Sequence, residues 1–271
     1  MMRGGRSALS TGRLGALMNA AGPVLLVAVA GVLCWYLLSA TYYADRPWLL
    51  PGPGVVAGAA LENFTVIAQA TVITFVEALS GFAIAAVGGV LTAAVMSQSP
   101  FLEKSIYPYA VLLQTVPIIT VAPLIVLWFG YGQTSVIVIS IIISLFPIIN
   151  NTLLGLRSTP KVLVELFDMQ TRSRAVTFFK LRLPSAMPQL IAGLKISAGL
   201  SVIGAIVGEF LIGTGGGRGG LGVQIIFAQG QMHTALLFAE IFAATLLGFL
   251  FFSAVSAIGN LVLRGWHESA A

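Results

Sequence analysis

Long apolar runs recur down this chain, and most of them match or exceed the roughly 20 residues a helix needs to cross a bilayer. They cover residues 23–40, 66–96, 106–129, 135–154, 190–212 and 235–263. Hydrophobic residues make up 58% of the 271 and charged residues only 8%, so the chain cannot clothe a water-facing surface in polar side chains. Its outer surface must face lipid. The expected fold is an all-α polytopic membrane protein with about six transmembrane helices and both termini on one side.

The first run follows Arg3, Arg6 and Arg13 among Gly and Ser, which at first sight looks like a signal peptide. Its length and the spans that follow it identify it instead as an uncleaved first helix. Residues 1–20 then form a cytoplasmic N-terminal tail and 21–271 a transmembrane domain. Between the runs lie a Pro/Gly-rich 45–63, a short 97–105, a tight turn at 130–133, a long charged stretch at 155–188, and 213–234.

Basic residues orient this topology. With the N-terminus inside, the cytoplasmic side receives Arg3, Arg6, Arg13, Lys104, Arg157, Lys161, Arg172, Arg174, Lys180, Arg182 and Arg264. The opposite side receives only Arg46 and Arg218, and Lys195 lies near the cytoplasmic end of the fifth span. Eleven against two is the asymmetry that the positive-inside rule describes. It also accounts for the net charge of +5 without nucleic acid, for which no basic aromatic face can be drawn.

Metal and redox chemistry find little support. Cys34 is the sole cysteine and is expected to pack as a small apolar side chain, while His233 and His267 have no partner at ligand spacing and read as interfacial polar residues. No paired-Asp motif, His-Glu-x-x-His or nucleophile elbow is present, so no enzyme, cofactor or metal is expected. Residues 213–220, with Thr214 and Arg218, look like a phosphate loop but lack the closing Gly-Lys-Ser/Thr. An outer-side loop is the better reading.

The charged stretch at 155–188 carries the most local information. Ser158-Thr159-Pro160 reads as a hydroxyl cap with Pro at the first helical position, opening a short helix. Val162, Leu163, Leu166 and Phe167 fall on one side of it, with Lys161, Glu165 and Asp168 on the other. Ser173 signals a second start, followed by Val176, Phe179 and Leu183 at helical intervals, and Pro184 and Pro188 are expected to end that helix. On pattern alone, the pair could equally be surface helices lying on anionic lipid.

Glu165-Leu166-Phe167, then Thr171, Ser173, Phe178, Leu183-Pro184, Ala186 and Pro188, resemble the EAA loop of binding-protein-dependent ABC importer permeases. Further matches at Gln114-Thr115-Val116-Pro117, Ala122-Pro123, Trp128-Phe129-Gly130, Gly193-Leu194-Lys195 and 204–210, with Pro51-Gly52-Pro53, resemble the branch importing sulfonates, taurine, nitrate, pyrimidine precursors and riboflavin. The resemblance spans residues 50–263. It implies a MetI-like type I importer permease fold, in which Glu165, Leu166, Phe167, Asp168, Thr171, Leu183 and Pro184 couple to a cytoplasmic ABC ATPase subunit. It further implies an extracytoplasmic solute-binding protein, a second permease copy (a homodimer is favoured), and an inner-membrane location with both termini cytoplasmic.

The loop departs from the family pattern at three positions. Leu166 and Phe167 stand where two Ala are usual, and Thr171 where Gly is usual. Glycine reaches positive φ cheaply and a β-branched residue does not, so either the turn is built differently or Thr171 acts as a cap. The bulkier pair implies an ATPase with a matching hydrophobic groove.

Inside the membrane, Glu77, Glu209 and Glu240 sit within or at the ends of apolar spans, where a charge costs at least several kcal/mol unless paired or hydrated. They line a substrate path, relay protons, or, for Glu240 in particular, bond near a helix end. Gln114, Thr115 and Pro117 interrupt the third span, and Pro123 repeats the break, which fits a water-filled pathway or else a packed, kinked helix. Gly204 and Gly208 form a small-xxx-small pair suited to close helix contact. The reading that follows is an ABC permease subunit for a small organic solute, with a thiamine pyrimidine precursor or riboflavin first. Sulfonate, taurine or nitrate come next, and a proton-coupled secondary transporter is the rival.

Overall fold

The computed structural model describes residues 8–171, 173–213 and 219–267; Arg3, Arg6, Arg172, Thr214 and Arg218 lie outside them. In chain order the helices are α1 (Ala8–Ala40), α2 (Pro53–Glu62), α3 (Phe64–Met96), α4 (Pro100–Thr115), α5 (Ile118–Phe129), α6 (Gln133–Arg157), α7 (Lys161–Gln170), α8 (Arg174–Thr177), α9 (Leu183–Ile212), α10 (Leu221–Gly230) and α11 (Thr234–His267). A π-helical turn, Phe178–Arg182, joins α8 to α9 without a break. Among the described residues there is no strand.

Four stretches are long and apolar enough to cross a membrane: Phe64–Met96, Gln133–Arg157, Arg174–Ile212 and Thr234–Leu263. The expected third span is instead a pair, α4 and α5, bent by 101°. Its break falls at Val116 and Pro117, where the backbone turns extended. Pro117 supplies no N–H, and the residue before a proline is pushed out of the helical region, so the sequence Thr-Val-Pro ends one helix and starts the next. Pro123 causes no second break; it lies inside α5. The apolar part described for the first helix, Leu25–Ala40, is shorter than the others. The about six expected spans thus correspond to four unbroken ones, one bent pair and this shorter helix.

Small residues set the core. α6 packs lengthwise between α3 and α9, and a Cβ at Gly204 would lie 2.8 Å from Ser140 Cα while one at Gly208 would lie 3.1 Å from Val136 Cα. The small-xxx-small pair therefore closes an intrachain contact with α6. Serines sew the same seam, because lipid provides no hydrophobic drive between helices and interhelical hydrogen bonds contribute instead. Ser140 Oγ donates to the Ser201 carbonyl at 2.9 Å, and Ser197 Oγ to the Ser144 carbonyl at 2.7 Å.

α11 closes this core through aromatic contacts, with Phe251 edge-on to Phe75 and Phe82 at 5.9 and 5.4 Å. The first helix is pinned by Trp35, which packs on Phe238 and Phe242 and donates its indole N–H to the Pro51 carbonyl at 3.1 Å. Cys34 is exposed on the helix surface, not packed in the core as expected. One residue from Trp35, it points about 100° away from the face that docks. Two stretches expected to be linkers also contain helices, α2 and α10.

Candidate functional site

The charged loop at 155–188 forms the helix expected of it. α7 covers Lys161–Gln170 and has no buried residue, with Leu166 and Met169 at 49% and 85% exposure. Glu165 and Asp168 are exposed and Phe167 is half-buried. An amphipathic helix this short gains too little from propensity to stand free in water, so its apolar face needs a cover.

The local start differs from expectation. Pro160 occupies the N-cap, no side chain caps the helix, and Ser158 Oγ donates back to the Gly155 carbonyl at 2.8 Å. The hydroxyl thus finishes α6 and does not open α7. The base of the loop is braced by an ion pair between Arg157 and Glu103 of α4.

Thr171 resolves the departure from the family glycine. Its backbone is extended at φ −143° and ψ 131°, so no positive φ is required, and its Oγ1 accepts the Ser173 N–H at 3.3 Å. The turn is built differently, and Thr171 also supports the next start. Ser173 caps α8 as expected, accepting from the Val176 N–H at 3.5 Å.

Pro184 and Pro188 do not end the second helix. Pro184 sits in the first turn of α9 and Pro188 inside it, with Leu183 and Pro184 half-buried. The π turn before them already departs from the regular i−4 hydrogen-bond ladder, and Pro184 follows directly on that interruption. Of the residues expected to couple to an ATPase subunit, Glu165, Leu166, Phe167 and Asp168 share α7, Thr171 stands just past its end, and Leu183 and Pro184 lie across the π turn.

The intramembrane carboxylates fall into two groups. Glu77 of α3 and Glu209 of α9 are 3% and 2% exposed and neighbour each other in the core. Thr74 Oγ1 lies 2.7 Å from Glu209 Oε1 and accepts the Leu221 N–H at 2.8 Å; Glu209 Oε2 accepts the Gly222 N–H at 2.5 Å. Glu209 therefore caps the N-terminus of α10, where unpaired N–H groups and the helix dipole favour an acceptor. A Cβ at Gly220 would collide with the Glu209 carboxylate and the Thr74 hydroxyl.

Glu240 lies apart, 1% exposed, with neither carboxyl oxygen bonded. Gln114, Thr115 and Pro117 are exposed along the α4–α5 bend. The structure thus joins Glu77 with Glu209 and leaves the polar bend as a separate feature. Sequence reasoning missed Thr74 and the α10 amides; the one signal was a Gly-Gly-Leu-Gly start opposite an intramembrane Glu. It also missed Lys195 Nζ donating to Asn260 Oδ1 at 2.8 Å between α9 and α11.

Comparison with known proteins agrees with this architecture. Residues 85–265 match the family described as binding-protein-dependent transport system inner membrane component. The chain is 34% identical over 228 residues to the formylaminopyrimidine transport permease protein ThiX of Halalkalibacterium halodurans, covering 82% of this chain and 88% of the relative. It is 33% identical over 219 residues to a probable ABC transporter permease protein of Haemophilus influenzae, covering 81% and 87%. To the riboflavin transport system permease protein RibX of Chloroflexus aurantiacus it is 30% identical over 240 residues, covering 88% of each.

Proposed function

This chain belongs to the family of binding-protein-dependent transport system inner membrane components, a permease subunit of an ABC importer, and from that premise we propose how it works and what it carries. It is a membrane-embedded transport subunit. ATP hydrolysis resides in a separate cytoplasmic subunit, against which α7 docks through Glu165, Leu166, Phe167 and Asp168, with Thr171, Leu183 and Pro184 forming its hinge to α9.

The observation that carries this reading is α7 itself: an amphipathic helix, projecting on a charged loop, with no residue buried by its own chain. Leu166 and Phe167 give it a bulkier face than the family's usual two Ala, matching a hydrophobic groove on the ATPase. Residues 1–20 and the loop at 155–188 lie in the cytoplasm, as does the C-terminus, and the protein resides in the inner membrane, where lipid covers its apolar surface. A second copy completes the pathway, giving a homodimer, and an extracytoplasmic binding protein delivers the solute. Gln114, Thr115 and Pro117 line the route, with Glu77 and Glu209 holding its outer end.

The substrate is a thiamine pyrimidine precursor or riboflavin, a reading supported by the names of the two relatives above that state a substrate. Sulfonate, taurine or nitrate is the alternative, since relatives at lower identity include transport permeases for those solutes. Copurification with the cognate ATPase subunit tests the docking: Glu165→Arg and Phe167→Asp abolish it, and a complex that survives both changes contradicts the reading.

A further inference from the structure

Two adjoining hollows lie where the coupling segment meets the end of α3. The first, of about 420 Å³, is walled by Gln98 and Ser99 of the α3–α4 turn and by Asp168, Arg174 and Arg182 of the loop. The second, of about 330 Å³, continues from it, since Gln98, Arg174 and Phe178 border both, and runs along Ala94, Val95 and Phe179.

Their chemistry is opposite. Two guanidinium groups against one carboxylate leave the first hollow positive, and among the described residues neither Arg174 nor Arg182 has an ion-pair partner. Arg182 is also half-buried, and a charge withdrawn from water requires a counter-charge. The second hollow is almost wholly apolar, and Val95 and Phe179 are exposed beside it.

We infer that the two hollows together seat one anionic phospholipid of the cytoplasmic leaflet, its phosphate against Arg174 and Arg182 and an acyl chain along Ala94, Val95 and Phe179. Basic pockets beside membrane helices on the cytoplasmic side suit such headgroups. The inference rests on the orientation that places the loop at 155–188 in the cytoplasm.

A water-soluble subunit does not fit as well. The apolar hollow lies along Ala94 and Val95 at the end of α3, a helix apolar enough to cross the membrane, where an acyl chain fits and a water-soluble surface does not. Free phosphate would fill the basic half and leave the apolar half bare. A lipid held here ties Arg174, one residue past the α8 cap, to the end of α3, so leaflet composition bears on the stiffness of the coupling loop.

Native mass spectrometry of the full-length protein in detergent tests this without an ATPase subunit and without transport, so a negative result leaves the importer reading standing. Phosphatidylglycerol is retained in preference to phosphatidylethanolamine. The Arg174→Gln, Arg182→Gln double variant weakens that retention about thirtyfold, from about 1 kcal/mol for each basic residue near an anionic surface. Ala94→Trp, which fills the apolar hollow and leaves the charge unchanged, also weakens it, while Lys104→Gln does not. A thermal melt of each variant without added lipid verifies that it is folded. Equal retention of the two lipids, an unchanged double variant, or stabilisation by inorganic phosphate equal to that by phosphatidylglycerol overturns the inference.

Discussion

Thr74 on α3 and Glu209 on α9 meet at 2.7 Å, and this pair ties the first turn of α10 to the transmembrane core, because both side chains also accept an amide of that turn. Removing the acceptor strands the buried Gly222 N–H, while the Thr74 hydroxyl keeps the Ala70 carbonyl. Glu209→Ala is expected to destabilise the folded protein by about 1–3 kcal/mol, the cost of a buried donor left unmade. Glu209→Gln keeps one acceptor oxygen and loses less. Thermal unfolding in detergent reads the difference, and a Glu209→Ala variant as stable as the parent contradicts the capping role.

Close packing predicts a sharp contrast between two glycines. Gly204→Leu drives a side chain into Ser140 of α6 and costs about 1–3 kcal/mol or more through overpacking, whereas Gly58→Ala meets nothing within 4 Å. The second variant should melt with the parent. Equal losses would show that α6 and α9 do not approach as described.

The serine seam has a smaller, measurable share. Ser197→Ala removes the 2.7 Å bond to the Ser144 carbonyl and should cost about 0.6 kcal/mol, the average for an interhelical hydrogen bond in a membrane protein. A loss several times larger would mean that packing, not the bond, is what the substitution disturbs.

Thr171 offers a test of the rebuilt turn. Because its φ is negative, glycine holds no conformational advantage there. Thr171→Gly loosens the unfolded chain and removes the acceptor for Ser173, so ATPase binding weakens modestly, by about 0.5–1 kcal/mol. Tighter binding by the glycine variant, measured by titration, would show that the bound turn needs positive φ.

The sequence made the spans and the helix α7 legible for physical reasons. Apolar runs of bilayer length leave few alternatives, and the alternation of Val162, Leu163 and Leu166 with charge declares α7. Prolines were read less well. Pro117 did break its helix, yet Pro123 and Pro188 sit inside helices and Pro184 in a first turn that follows the π segment, so a proline alone does not mark where a helix ends in this chain.

The Glu77–Glu209 pair was named residue by residue, but their meeting across two helices and the part played by Thr74 depend on helix rotation, which hydropathy does not report. Cys34 shows the same limit: an apolar run gives no sign of which face docks.

The central claim is that this chain is the passive half of an ATP-driven importer, worked through α7. Uptake into proteoliposomes holding the permease and its ATPase subunit, with the loaded binding protein outside and ATP inside, tests it most directly. Uptake should require ATP, cease with Phe167→Asp, and be indifferent to dissipation of a proton gradient. Uptake that persists without the ATPase subunit and collapses with the proton gradient would contradict it.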